Sequence, residues 1–127
     1  MAGVAAEGFP RSARLTRSRD FERVLRRPDL RLRSGPLRLQ AVFTRMHSAR
    51  LGLVVGRKAI NRAPARNRVK RIIREHFRRR RGTLTGVDTV IRVVGPVTRA
   101  DLHRQLDRLF ADLATKAAEH SAEIIDP

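Results

Sequence analysis

Thirteen cationic side chains and a single carboxylate, Glu75, occupy residues 50–81, a local charge of +12. Such a run offers guanidinium and ammonium donors to a polyanion, but it lacks the parts of a hydrolase. Metal-dependent phosphodiester hydrolysis needs a carboxylate cluster, and acid–base hydrolysis needs paired histidines. Here Glu75 and His76 are adjacent in sequence and so diverge on a helix. Glu75 is expected to pair with Arg71 or Arg79, four residues away on either side, and His76 to pack at the edge of the core. His47, His103 and His120 have no metal-ligand spacing, and the absence of Cys excludes disulfides, zinc fingers and thiol catalysis. The sequence therefore predicts no catalytic residue and no metal site.

Within the run, Arg57, Lys58, Asn61 and Arg62 fall in a loop. Arg66, Asn67, Arg68, Lys70, Arg71 and Arg74 follow on the first turns of a helix, where free backbone amides add to the donors. That spread suits a curved phosphate backbone better than one small anion. A merely solvated charged face is the bland alternative, but cations with one compensating acid repel one another unless a ligand neutralises them.

The rest of the chain supports this emphasis. It is 127 residues long, the size of one small domain, with a net charge of +17 and a pI near 12. The hydrophobic fraction of 41% is enough for a modest core. Charge is +8 over residues 11–49 and −2 over residues 82–127, so the polyanion should meet the first two-thirds. Arg supplies 26 of the 29 basic residues, and its planar fork suits phosphates. No apolar run approaches the ~20 residues of a spanning helix, and Met1 to Pro10 has no basic residue ahead of its weak apolar stretch. A cytoplasmic protein is expected.

To position the donors, the sequence predicts an α+β sandwich of order α-β-β-α-β-α, with helices packed on a single sheet. Residues 1–13 read as a disordered tail, 14–118 as the domain and 119–127 as a C-terminal tail. Ser18 is the expected N-cap of a helix over Arg19–Arg26, with Phe21, Val24 and Leu25 on its apolar face. Pro28 and Ser34-Gly35-Pro36 mark a loop. Leu37–Phe43 alternates as a strand, Arg45 to Ala49 is a polar connection, and Leu51–Val55 forms a second strand antiparallel to the first. The basic helix begins after Pro64 and runs to about Arg81, ended by Gly82, with Val69, Ile72, Ile73, His76 and Phe77 on one face. Val87–Val94 is a strand parallel to the second. Thr98 and Asp101 open a last helix bearing Leu102, Leu106, Leu109, Phe110 and Leu113.

The stretch Gly56 to Glu75 resembles the protein subunit of bacterial ribonuclease P: a strand, a basic pair, an Asn-containing loop, then Arg66-Asn67-Arg68 with Lys70-Arg71 and Ile72-Ile73-Arg74-Glu75. Asp20-Phe21-x-x-Val24-Leu25 extends the likeness upstream, and the resemblance covers about residues 14–116. It implies the fold of the second domain of ribosomal protein S5, with a left-handed βαβ crossover. It also implies a ribonucleoprotein that removes the 5′ leader of precursor tRNA, with the Mg²⁺ and the catalysis in the RNA subunit and no cofactor on the protein. The Arg57–Arg74 donors would bind the RNA subunit. A cleft of Arg17, Phe21, Leu25, Gln40 and Arg92 would hold the leader, although Phe21 reads equally as core. Leu25 and Gln40 stand where the family often has aromatics, and Val94-Gly95 where it has basic residues. Two other readings remain open: a structural rRNA-binding protein, and a DNA-binding protein, which the lack of a preceding helix at helix-turn-helix spacing disfavours.

Overall fold

Leucine and arginine alternate through Leu30-Arg31-Leu32-Arg33, and they build a strand where the sequence predicts only a loop. The computed structural model describes residues 11–44 and 48–125. In it, β1 (Leu30–Ser34) pairs antiparallel with β2 (Leu37–Phe43) through a two-residue turn. Gly35 sits there at φ +55, the left-handed conformation that a tight hairpin turn requires at its first position. The breaker residues Pro28 and Gly35-Pro36 flank this strand rather than replacing it.

β3 (Arg50–Val55) and β4 (Val87–Val93) complete a sheet of order β1-β2-β4-β3. The expected pairing of β2 with β3 is therefore corrected: β4 lies between them, antiparallel to β2 and parallel to β3. The parallel pair needs a crossover, and the basic helix α2 (Ala63–Arg80) supplies it, as the sequence predicts. The central position of β4 explains its β-branched composition, since Val87, Val90, Ile91 and Val93 are all buried.

One sheet face carries the main core. Leu37, Leu39, Ala41, Leu51, Ile91 and Val93 meet Val69, Ile73 and Phe77 of α2 and the leucine stripe of α3 (Arg99–Ile125). All five apolar residues predicted for α3 are buried. Its start follows the expected chemistry, with the Asp101 N–H donating to Thr98 Oγ1 at 3.2 Å. The other face is covered only in part by α1 (Ser18–Arg26), through Leu15, Val24, Val42 and Val90 with Phe21 and Leu25 beside them.

Several local boundaries differ from expectation. Arg17, not Ser18, is the N-cap of α1, and it makes no side-chain cap. Helix α2 ends at Arg80 and tightens into a 3₁₀ turn, Arg81–Thr83, so Gly82 lies within that turn. Helix α3 continues to Ile125, which makes most of the expected C-terminal tail helical, and His120 stacks on Phe43 with ring centroids 4.5 Å apart. Within the expected N-terminal tail, Arg11–Ala13 form a 3₁₀ turn and Ala13 is buried. Residues 1–10, and Arg45 to His47 of the expected connection, lie outside the described residues. Among the described residues no helix is long and apolar enough to cross a membrane.

An ion-pair network fixes α1 to the sheet. Arg50 on β3 makes two hydrogen bonds to Asp88 on β4, at 2.8 and 2.6 Å, and a third to Asp20 on α1 at 3.2 Å. The hydrogen bond and charge of Asp88 raise the Arg50 pKa above its ordinary value despite partial burial. Beside the network, Phe21 lies directly over Gly52, in the space a β-carbon would fill. Gly52→Ala is thus expected to push α1 off the sheet and cost about 1–3 kcal/mol. Chemical denaturation measures this, and an unchanged midpoint would contradict the contact.

Between α2 and α3, His76 is buried, with Nε2 2.8 Å from Nδ1 of His103. Arg80 Nη1 donates toward His76 Nδ1 at 3.2 Å, and Arg80 also holds Asp107 at 2.7 Å. Since Arg only donates, His76 Nδ1 accepts and Nε2–H donates to His103. Burial, reinforced by the Arg80 charge, lowers the His76 pKa below 6.5. The fold therefore holds His76 neutral, whereas the unfolded chain takes up its proton near pH 6.5. Stability from this group is complete above that pH and falls as pH drops through 6.5 toward the folded value. Melting temperature should decline between about pH 7.5 and 5.5 in the natural chain, and His76→Gln should flatten that decline. An equal decline in both proteins would exclude His76 as its source.

Candidate nucleic-acid interface

The β3–α2 connection and the first three turns of α2 form one cationic surface. Arg57, Lys58, Asn61 and Arg62 are exposed on the connection, and Asn67, Arg68 and Arg71 are exposed on the helix, with Lys70 and Arg74 half-buried. Helix geometry sets the division. Val69, Ile73, His76 and Phe77 fill the core side, which leaves Asn67, Arg71 and Arg74 in a row on the other, continued by Arg78. The N-cap Arg62 supplies no side-chain acceptor, so the first-turn N–H groups of Ala63 and Ala65 remain available to an anion, Pro64 having none.

The ion pairs lie elsewhere. Glu75 is held by Arg78 and by Arg79 at 3.3 Å, which realises the expected i+4 partner and leaves Arg71 free of it. Those hydrogen bonds, chiefly from Arg78, lower the Glu75 pKa. Asp20 and Asp88 serve Arg50, Asp107 serves Arg80, and Asp101 serves Arg104. Among the described residues, no carboxylate pairs with any of the eight cations from Arg57 to Arg74.

Arg66 differs from its neighbours. Its Nη1 donates back to the carbonyls of Ile60 at 3.0 Å and Asn61 at 2.8 Å. It therefore shapes the loop that carries Asn61 and Arg62 as much as it faces solvent. The spacing of the triplet gives no hint of this, because the acceptors belong to a loop conformation rather than to a residue type.

A second cationic surface occupies the part of the sheet that α1 leaves open. Leu25, Gln40 and Arg92 line a groove there together with Arg31, Arg33 and Arg38. Of the five residues expected in a cleft, these three come together. Arg17 stands exposed at the start of α1, and Phe21 packs over Gly52, so neither lines the groove. Gln40 is buried, and its Nε2 donates to the Leu25 carbonyl at 3.0 Å, closing the end of α1. Arg33, Arg38 and Arg92 are directly opposed across three adjacent strands. Like charges so placed destabilise a sheet. Arg92 Nε is also buried without a hydrogen-bond partner among the described residues. Arg31, Arg33 and Arg38 escaped the sequence reading, and the signal that would have found them is the Leu-Arg alternation of β1.

Few aromatic rings serve either surface. Phe77 and Phe110 are fully buried, Phe43 stacks on His120, and the chain has no Trp or Tyr. Charge and hydrogen bonding, rather than stacking, must then supply most of the grip. Among the described residues, no three His, Cys, Asp or Glu side chains converge as a metal site.

Comparison with known proteins gives these surfaces a family context. The family profile described as Ribonuclease P matches residues 9–117. The ribonuclease P protein component of Halorhodospira halophila is 46% identical over 110 residues, covering 84% of this chain and 90% of that protein. The fold is similar to that of the RNase P protein from Staphylococcus aureus, with a TM-score of 0.70 at 20% identity over 83% of this chain and 92% of that one. The RNase P protein from Thermotoga maritima matches with a TM-score of 0.64 at 27% identity, over 80% and 96% of the respective chains.

Proposed function

The chain belongs to the ribonuclease P protein family, and from that premise we propose that it is the RNA-binding subunit of a ribonucleoprotein that removes the 5′ leader of precursor tRNA in the cytoplasm. The observation that carries this reading is the run of eight cations from Arg57 to Arg74, none of which pairs with a carboxylate among the described residues. In this reading Arg57, Lys58, Asn61, Arg62, Asn67, Arg68, Lys70, Arg71 and Arg74 meet the phosphates of the RNA subunit, and Arg66 holds the loop in shape for them. The RNA supplies the Mg²⁺ sites and the hydrolysis. The protein contributes no reacting group and no cofactor; its work is to neutralise phosphate repulsion between two RNAs at close range.

The open sheet face is the place for the single-stranded leader. Opposed arginines on neighbouring strands lie about 5 Å apart, a spacing that lets Arg33, Arg38 and Arg92 share consecutive phosphates. Leu25 and Gln40 border this row, and Arg17, exposed at the start of α1, stands outside it. Phe21 acts here through packing.

Recovery of the bound RNA from cells tests the assignment. A tagged chain is expected to retain one RNA species that cleaves precursor tRNA unaided at high Mg²⁺. Recovery of ribosomal RNA in its place would assign the protein to the ribosome instead.

A further inference from the structure

The first three turns of α2 and the start of α3, with the residues just before it, leave a groove between them. Ile72, Val97 and the buried Leu102 line it, and the exposed Arg68, Arg71 and Arg99 stand beside them. Ile72 belongs to the apolar stripe of α2 but remains only half-buried, as does Val97. No carboxylate among the described residues pairs with any of the three arginines.

An aliphatic slot ringed by unneutralised guanidinium groups matches one kind of ligand well. A nucleobase has two apolar faces and is tethered to anionic phosphates on both sides. Unpaired bases of folded RNA are commonly splayed out and stacked on aromatic rings or guanidinium planes; here the guanidinium groups of Arg68, Arg71 and Arg99 offer such planes beside aliphatic walls. A cationic or neutral peptide would leave the rim charges unmet. Charge complementarity therefore selects a nucleotide as the occupant.

We propose that this groove receives one unpaired nucleotide of the RNA partner, its base between Ile72 and Val97 and its flanking phosphates on Arg68 and Arg99. The proposal rests on the RNA-binding reading above and adds a shape-selective element to it. Arg68 and Arg71 belong to both the groove and the cationic surface, so the inserted nucleotide pins the register of the phosphates along α2.

Base insertion contributes affinity that salt does not screen, and this separates it from phosphate contact. The test measures the Kd of the full chain for the RNA subunit across a salt series, with melting temperature recorded for each variant. Val97→Trp fills the slot, and Ile72→Ser strips one wall. Each is expected to weaken binding about tenfold, in line with the loss of one apolar contact to a base, at every salt concentration and with an unchanged slope of log Kd against log salt. Should Val97→Trp fail to fold, Ile72→Ser decides alone. Affinities within twofold of the natural chain overturn the proposal, as does a slope reduced by about one unit, the mark of a lost phosphate contact. Failure of the natural chain itself to bind the RNA would defeat the functional reading as well. Normal binding with unaffected variants would defeat the groove alone.

Discussion

Replacing Arg68, Arg71 and Arg74 together by alanine is expected to weaken binding to the RNA subunit about a hundredfold near 0.15 M salt, while the free protein stays folded. Each cation that neutralises a phosphate releases about 0.7–0.9 counterion, so three lost contacts should lower the salt slope by about two to three units. Folding should survive because none of the three makes an ion pair among the described residues, Arg68 and Arg71 are exposed, and Arg74 is half-buried outside the apolar stripe of α2. Removing mutual repulsion should even raise the melting temperature slightly at low salt. Arg66→Ala belongs to a different class. Its guanidinium is engaged with the Ile60 and Asn61 carbonyls, so its loss should loosen the loop and weaken binding with less than one unit of slope. Filter binding over a salt series distinguishes the two, and a slope unchanged in the triple variant would remove α2 from the interface.

The second large effect is on stability. Asp88→Ala is expected to cost about 3 kcal/mol, because it strands the Arg50 guanidinium between β4 and α1 with only Asp20 left to face it. Asp88 is 3% exposed, so water cannot readily take its place. Replacing both partners, Arg50→Leu with Asp88→Leu, should recover much of the loss, since the pair itself is worth less than the penalty of breaking it. Urea denaturation of the two variants decides the matter. A double variant no more stable than Asp88→Ala would show that the network does more than satisfy its own charges.

The parts of the molecule legible from sequence share a physical feature: they depend on local periodicity or local charge. The apolar stripes of α2 and α3, the Thr98–Asp101 cap and the cationic run all repeat or cluster within a few turns, and the structure places them where the spacing predicts. Elements that depend on pairing partners distant in sequence were not legible. The insertion of β4 between β2 and β3 is a choice between two strand orders that no local pattern settles. Strand β1 is short and lies between breaker residues, so turn chemistry masked a clear Leu-Arg alternation. The arginine row Arg33, Arg38, Arg92 exists only once that order and register are known. His76 and His103 are 27 residues apart and meet because α2 and α3 pack side by side. Phe21 shows the converse: its position in a familiar motif fits a cleft or the core equally, and only the structure shows it half-buried over Gly52, beside the cluster under α1 and outside the groove.

These placements give the chain a coherent economy of charge. Asp20 and Asp88 fasten α1 to the sheet and Asp107 fastens α3 to α2. Glu75 serves Arg78 and Arg79 at the far end of the cationic row, and among the described residues no carboxylate pairs with the cations from Arg57 to Arg74. A protein so arranged carries unrelieved repulsion until a polyanion arrives, and sulfate or phosphate should raise its melting temperature by binding the native state.

Cleavage of precursor tRNA by the matching RNA subunit, measured at physiological salt as Mg²⁺ is varied, tests the central claim most directly. The account predicts no cleavage by the protein alone, and cleavage by the RNA at a Mg²⁺ concentration that the added protein substantially lowers. Cleavage by the purified protein without RNA, or an RNA whose Mg²⁺ requirement is indifferent to the protein, would contradict it.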